Sequence, residues 1–129
     1  MSGIRILSVG QCGYDGARIG REIGRRLGAE VVAVDTHDEA RSELEGGGFD
    51  LVLVNRVGDL DGAPGLGLIA ALKADRATSG VPVMLVSNYA EAQAEAVRAG
   101  ALPGFGKSEL GSERVATLIE QALAASRAR

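Results

Sequence analysis

FDLVLVNRVGDLDG, residues 49–62, decides the fold. Leu51, Val52, Leu53 and Val54 form an unbroken apolar run with no alternation, and so read as a strand buried on both faces. That pattern belongs to a parallel sheet with helices above and below it. Asn55 closes the run, and a loop carrying Asp59, Asp61 and Gly62 follows. In open α/β sheets, ligands and chemistry sit beyond the carboxyl ends of the strands. Asn55 therefore stands where an active group is expected, and a neutral amide is an unusual group to find there.

The flanking sequence repeats the theme. Residues 4–9 (IRILSV) are a short apolar run, followed by a glycine-rich turn over 10–16 (GQCGYDG). Ile19, Ile23 and Leu27 share one face of a predicted helix over 17–27, with Gly20 and Gly24 on a neighbouring stripe and Gly28 as its cap. Residues 31–34 predict the second strand, closing with Asp35. Thr36 and Glu39 have the spacing of a capping box, opening a short helix that Gly46, Gly47 and Gly48 end. After the deciding strand, Pro64 suits a first helical position, and Leu68, Ile69 and Leu72 give that helix an apolar face. Residues 82–87 (PVMLVS) predict the fourth strand. Asn88 and Glu91 suggest a second capping box for an Ala-rich helix to about residue 99, which Gly100 caps. Residues 101–106 allow only a poor strand, weakened by Pro103, Gly104 and Gly106. Ser112 caps a last helix with Val115, Leu118, Ile119 and Ala122 on its buried face, and a tail over 126–129 is expected to fray.

Five strands alternating with five helices specify a doubly wound α/β sandwich with right-handed crossovers. The natural order is the flavodoxin-like 2-1-3-4-5, in three α/β/α layers. Residues 1–129 read as one domain, without repeats or linkers.

Composition narrows function by exclusion. A net charge of -3 gives no electrostatic reason to expect nucleic acid. Arg21, Arg25 and Arg26 share their helix with Glu22 and read as a solvated face. There is no Trp, and aromatics make up 3% of the chain, which leaves little for base stacking. Cys12 is the single cysteine, so no internal disulfide forms, and a reducing compartment fits. Residues 1–10 lack the form of a signal peptide, and no apolar segment reaches membrane-spanning length. A cytoplasmic protein with no membrane and no nucleic-acid partner is expected.

With these elements in place, the chain resembles a bacterial response-regulator receiver domain over nearly its whole length. FDLVLVNRVGDLDG is similar to that family's third strand and following loop. VPVMLVS resembles its fourth strand, which ends in Ser or Thr, here Ser87. AEAQAEAVRAGALPGFGKSEL is similar to its fourth helix, fifth strand and lysine, here Lys107. The resemblance implies two-component signalling through a phosphorelay. It also implies a phosphoryl site: acids after strand one and an aspartate after strand three gather Mg²⁺, while Ser/Thr and Lys read the product.

The chain departs from that site at most positions. Gly10 and Gln11 stand at the acidic-pair positions, and Asn55 at that of the phospho-acceptor. Gly104 replaces the usual switch aromatic, with Phe105 one residue along, and Ser108 replaces the proline after the lysine. Only Ser87 and Lys107 match the phosphate-reading pair. A carboxamide does not form an acyl phosphate, and losing three carboxylates removes the charge that attracts Mg²⁺. The expectation is a pseudo-receiver: not an enzyme, with no metal and no cofactor, in which Lys107 either reaches water or bonds to Asn55 and a backbone carbonyl. A lysine left without carboxylates suggests, as a second possibility, a weak anion site.

The expected mode of action is contact with a protein partner, a signalling protein of unknown identity. In receivers the last two helices and strand five often carry partner or dimer contacts. Here the resemblance implies Ala92, Glu95, Ala96 and Arg98 on such a surface, with a homodimer through it. Two alternatives stay open. One is a conventional phospho-receiver whose acids have moved, with Asp15, Asp59 or Asp61 turning inward. The other rests on Cys12 and Arg18, which fit C-x5-R as in low-molecular-weight tyrosine phosphatases and arsenate reductases, where a loop cradles phosphate. Against it, Ile19 stands where Ser or Thr follows the arginine, and the general-acid Asp-Pro pair is absent. Gly10, Gly13 and Gly16 are spaced G-x-x-G-x-x-G, not as the dinucleotide-binding turn requires. His37 has no second histidine to share a metal, and forms no triad with Ser87.

Overall fold

A computed structural model describes residues 3–127. Five parallel strands lie in the order β2-β1-β3-β4-β5, which is the flavodoxin-like arrangement. They are β1 (Arg5–Val9), β2 (Glu30–Val34), β3 (Leu51–Asn55), β4 (Val83–Val86) and β5 (Leu102–Phe105). The helices are α1 (Gly13–Ile19, running on into a π-helical segment Gly20–Arg25), α2 (His37–Glu45), α3 (Gly65–Ala74), α4 (Ala90–Arg98) and α5 (Glu113–Arg127). A 3₁₀ turn, Lys107–Glu109, joins β5 to α5.

The period-2 geometry of β3 sorts its side chains between two cores. Leu51 and Leu53 pack with Ile19, Ile23, Val115 and Ile119 from the α1 and α5 layer. Val52 and Val54 pack with Ala40, Leu44, Leu68, Ile69, Leu72 and Ala96 from the α2, α3 and α4 layer. All four of these β3 residues are essentially inaccessible. Burying each such side chain stabilises the fold by roughly 1.5–3 kcal/mol relative to exposure. Central placement thus explains why the first four residues of this strand are all apolar.

Local signals mostly act where the sequence puts them. Thr36 Oγ1 accepts from Glu39 N at 3.1 Å, and Glu39 accepts from Thr36 N at 3.0 Å, completing the capping box of α2. Val115 N donates to Ser112 Oγ at 3.3 Å, ahead of α5. Four elements differ from their local patterns. The first helix starts at Gly13 rather than residue 17, because Cys12 Sγ caps it by accepting from Asp15 N. Pro64 is the N-cap of α3, not its first helical residue, and it bridges antiparallel to Val57. The Asn88–Glu91 capping box does not form; Tyr89 is the N-cap of α4, and Asn88 Oδ1 instead accepts from Ser108 N and Oγ. Helix α5 continues through Arg127, past the expected start of fraying at Ser126, and residues 128–129 lie outside the described range.

Candidate functional site at the carboxyl ends of the strands

Strand register brings one set of chain positions together. Val9 pairs with Val34 and Val54, Asn55 with Val86, and Val86 with Phe105. Gly10, Asn55, Ser87 and Lys107 consequently leave the sheet at one end. A cleft of about 320 Å³ opens there, lined by Asn55, Arg56, Val57, Val86, Ser87, Asn88, Tyr89 and Lys107. Its rim holds the Arg56 guanidinium, 4.9 Å from the centroid of the exposed Tyr89 ring.

Asn55 is a donor in this site. Its Nδ2 donates to Gly10 O at 2.9 Å and to Val57 O at 2.7 Å, so both amide hydrogens point at carbonyl oxygens. Gly10 O also accepts from Asp59 N at 2.9 Å. These bonds stitch the loop after β1 to the loop after β3. The latter loop is further tied by Gly58 N to Ala63 O at 2.9 Å and Gly65 N to Arg56 O at 2.8 Å. Gly10 holds φ at +79°, and a Cβ on it would lie 3.1 Å from Gly58 Cα. An acidic side chain at position 10 would need both a left-handed backbone and the space that Gly58 fills.

Gln11 is buried and does not line the cleft. Its Nε2 lies a long 3.5 Å from Val9 O, and its Oε1 finds no partner among the described residues.

Lys107 bonds neither to Asn55 nor to water alone. Its Nζ lies 2.9 Å from Asp15 Oδ2, in a pair whose side chains are 30% and 16% exposed. The same carboxylate oxygen accepts from Cys12 Sγ at 3.3 Å. The hydrogen bond from the Lys107 ammonium holds the Asp15 carboxyl below its ordinary range; partial burial opposes it, and Cys12 and the Arg18 charge add to it. One carboxylate thus answers the lysine and weakens the case for an anion site there. Asp59 and Asp61 stay exposed, and Asp61 Oδ1 caps its own turn by accepting from Ala63 N at 3.0 Å. Among the described residues, no group of three or more His, Cys, Asp or Glu side chains is placed to hold a metal ion.

The remaining positions are equally committed. Ser87 is buried, and its Oγ accepts from Tyr89 N at 3.1 Å. Gly104 could not carry an aromatic: a Cβ there would sit 2.1 Å from Leu85 O. Phe105 does not replace it, being 1% exposed within the α1 and α5 core.

Two expectations are corrected here. Ala96 is fully buried against the α2, α3 and α4 core and Ala92 is half-buried; of the four residues expected on this surface, Glu95 and Arg98 are exposed, and Val97 joins them. Helical spacing with alanine on both faces gave no means of choosing the buried one. The C-x5-R segment is also no phosphate cradle. Residues 13–19 are helical, Cys12 Sγ is the cap, and Arg18 lies over the Tyr14 ring at 6.0 Å. The Asp15–Lys107 pair joins two ends of the chain; Asp15 is one of the three acids named above as able to turn inward, and nothing local distinguishes it from Asp59 and Asp61.

No protein-family model matches the chain, and no curated protein matches it. Solved structures do. NtrX from Brucella abortus superposes with a TM-score of 0.81 at 21% identity, over 96% of this chain and 28% of NtrX. This chain therefore spans little more than a quarter of that relative. The signal receiver domain of a DNA-binding response regulator from Colwellia psychrerythraea 34H gives 0.79 at 18% identity, covering 94% of this chain and 98% of that one. A response regulator from Thermotoga maritima gives 0.77 at 18%, with the same coverage of 94% and 98%. The architecture is that of receiver domains. Also, no helix among the described residues is long and apolar enough to cross a membrane.

Proposed function

We propose that this chain is a phosphorylation-independent receiver-like module of response-regulator signalling, acting through protein–protein contact rather than catalysis. One observation carries the reading. The position that accepts phosphate in the family it resembles is Asn55, whose amide spends both hydrogens on Gly10 O and Val57 O. A carboxylate in the same pose would aim lone pairs at two carbonyl oxygens. Gly58 packed on Gly10, and Asp15 paired with Lys107, support the same view: the position-10 site for an acid is filled, and the lysine already has a carboxylate partner.

The face available for contact lies between α4, β5 and α5. Val97 and Leu102 are exposed there, at 43% and 39%. A groove of about 640 Å³ runs beside them, lined in part by Ala94, Val97, Arg98, Pro103 and Arg114. A signalling protein, or a second copy of this chain, is the proposed occupant. Incubation with a small phosphodonor and Mg²⁺, followed by intact-mass measurement, is expected to leave the protein unmodified. A stoichiometric phosphoryl adduct would overturn the reading.

A further inference from the structure

Gln93 lies midway along α4 and reaches into the β4–β5 junction. Its Nε2 donates to Leu85 O at 2.9 Å and Ser87 O at 3.2 Å, with a longer contact to Phe105 O at 3.4 Å. Its Oε1 accepts from Gly104 N at 3.0 Å. The strands are irregular at this point. Met84 pairs with Leu102 and Val86 with Phe105, so Pro103 and Gly104 together oppose Leu85 alone. Such a bulge interrupts the ladder and leaves backbone groups in need of other partners. Gln93 supplies an acceptor on one side and a donor on the other, a combination that a carboxamide offers at neutral pH and a carboxylate does not.

We infer that Gln93 is the positioning residue that pins α4 to the β4–β5 bulge and holds the α4–β5 face in a single conformation. The inference rests on the phosphate-independent reading and adds how the contact face is regulated: it is set permanently rather than switched. The surroundings agree. A side chain at Gly104 would run into Leu85 O and Gln93 Oε1, so this junction has no large group free to swing. Asn88 Oδ1 accepts from Ser108 N and Oγ, and it lies where a Cβ on Gly106 would come within 1.8 Å of it, so the loop before α4 is tied to the turn after β5 as well.

The test is nitrogen-15 relaxation dispersion and amide hydrogen exchange on the whole chain, as the parent and as Gln93→Met and Gln93→Glu. The parent is expected to show no microsecond-to-millisecond exchange in α4 or β5, and a protected Gly104 amide. Gln93→Met removes the acceptor of Gly104 N and one donor to Leu85 O, so Gly104 exchange rises roughly 10- to 100-fold. Dispersion then appears across α4 and β5 while β1 to β3 stay silent. Gln93→Glu keeps the acceptor for Gly104 N, but at neutral pH it has no hydrogen for Leu85 O or Ser87 O, so dispersion across α4 and β5 is the change it shows. In acid it returns towards the parent, after correction for intrinsic exchange, because a protonated carboxyl again donates to Leu85 O while accepting from Gly104 N. Dispersion throughout α4 and β5 of the parent would overturn the inference, as would unchanged Gly104 exchange in Gln93→Met. Should both variants unfold, the parent's dispersion decides alone. Beryllofluoride-induced shifts in a parent free of dispersion would defeat the phosphate-independent reading and leave the pin standing, so the two failures are separable.

Discussion

Asn55→Asp restores the residue type that a phosphorylated receiver carries, and in this chain it is expected to do harm. Asn55 Nδ2 donates to Gly10 O at 2.9 Å and Val57 O at 2.7 Å. An aspartate has no hydrogen for either acceptor at neutral pH. Losing two hydrogen bonds costs roughly 1–3 kcal/mol, and carboxylate oxygens crowded against carbonyls add roughly 1 more. The sum, about 2–4 kcal/mol, is within what a domain of this size survives, and it lowers Tm by roughly 6–15 °C. The deficit depends on pH with a definite sign. Carbonyl neighbours raise the carboxyl pKa in the folded state, so the folded protein holds its proton where the unfolded chain has lost it. Stability then falls as pH rises between the two values, and the deficit shrinks as pH drops from 7 towards 4. The assay is urea unfolding followed by circular dichroism at pH 7 and in acid, with Asn55→Ala as the control that removes the bonds without adding charge. An Asp variant as stable as the parent at pH 7, or one that Mg²⁺ stabilises, would refute the argument that this position is built around a donor.

Asp15→Asn breaks the partly buried pair with Lys107. Stability is expected to drop by about 1 kcal/mol at pH 7. Because the pair lowers the Asp15 pKa in the folded state, its contribution is fully present above the ordinary value of 3.8 and is lost as pH falls through the lower folded-state value. Parent and variant unfolding curves should therefore converge in acid. Ala96→Arg forces a charged side chain into a site with no exposure, and a loss of roughly 3 kcal/mol or more is expected in the same assay. Arg98→Glu, on the exposed stripe of α4, should leave stability within about 0.5 kcal/mol and so report on association alone.

The fold was legible because its signals are local. An apolar run flanked by polar residues names a buried strand, and the Thr36–Glu39 box forms as its spacing dictates. The site was legible in what it lacks and not in what it contains. Gly10, Gln11 and Asn55 can be read as missing carboxylates, but the sequence does not say that Gly58 and two carbonyls occupy the space. Asn88 illustrates the limit. Its capping signal is genuine, yet Ser108, brought near by the β5–α5 turn, takes the side chain first. The glycines of residues 10–16 suggest a turn, whereas a thiol cap starts the helix at Gly13. Pro103 and Gly104 did mark an imperfect strand, and the bulge between β4 and β5 is the form the imperfection takes.

The central claim is that the strand-end cleft is blind to phosphate. An amide NMR titration of the parent protein with Mg²⁺, then with beryllofluoride, tests it most directly, since beryllofluoride mimics a phosphoryl group on aspartate. The account predicts no saturable shift at Gly10, Asn55, Ser87 or Lys107. Saturable, Mg²⁺-dependent shifts at those residues would contradict it and show that Asp15 or another acid has rebuilt the site.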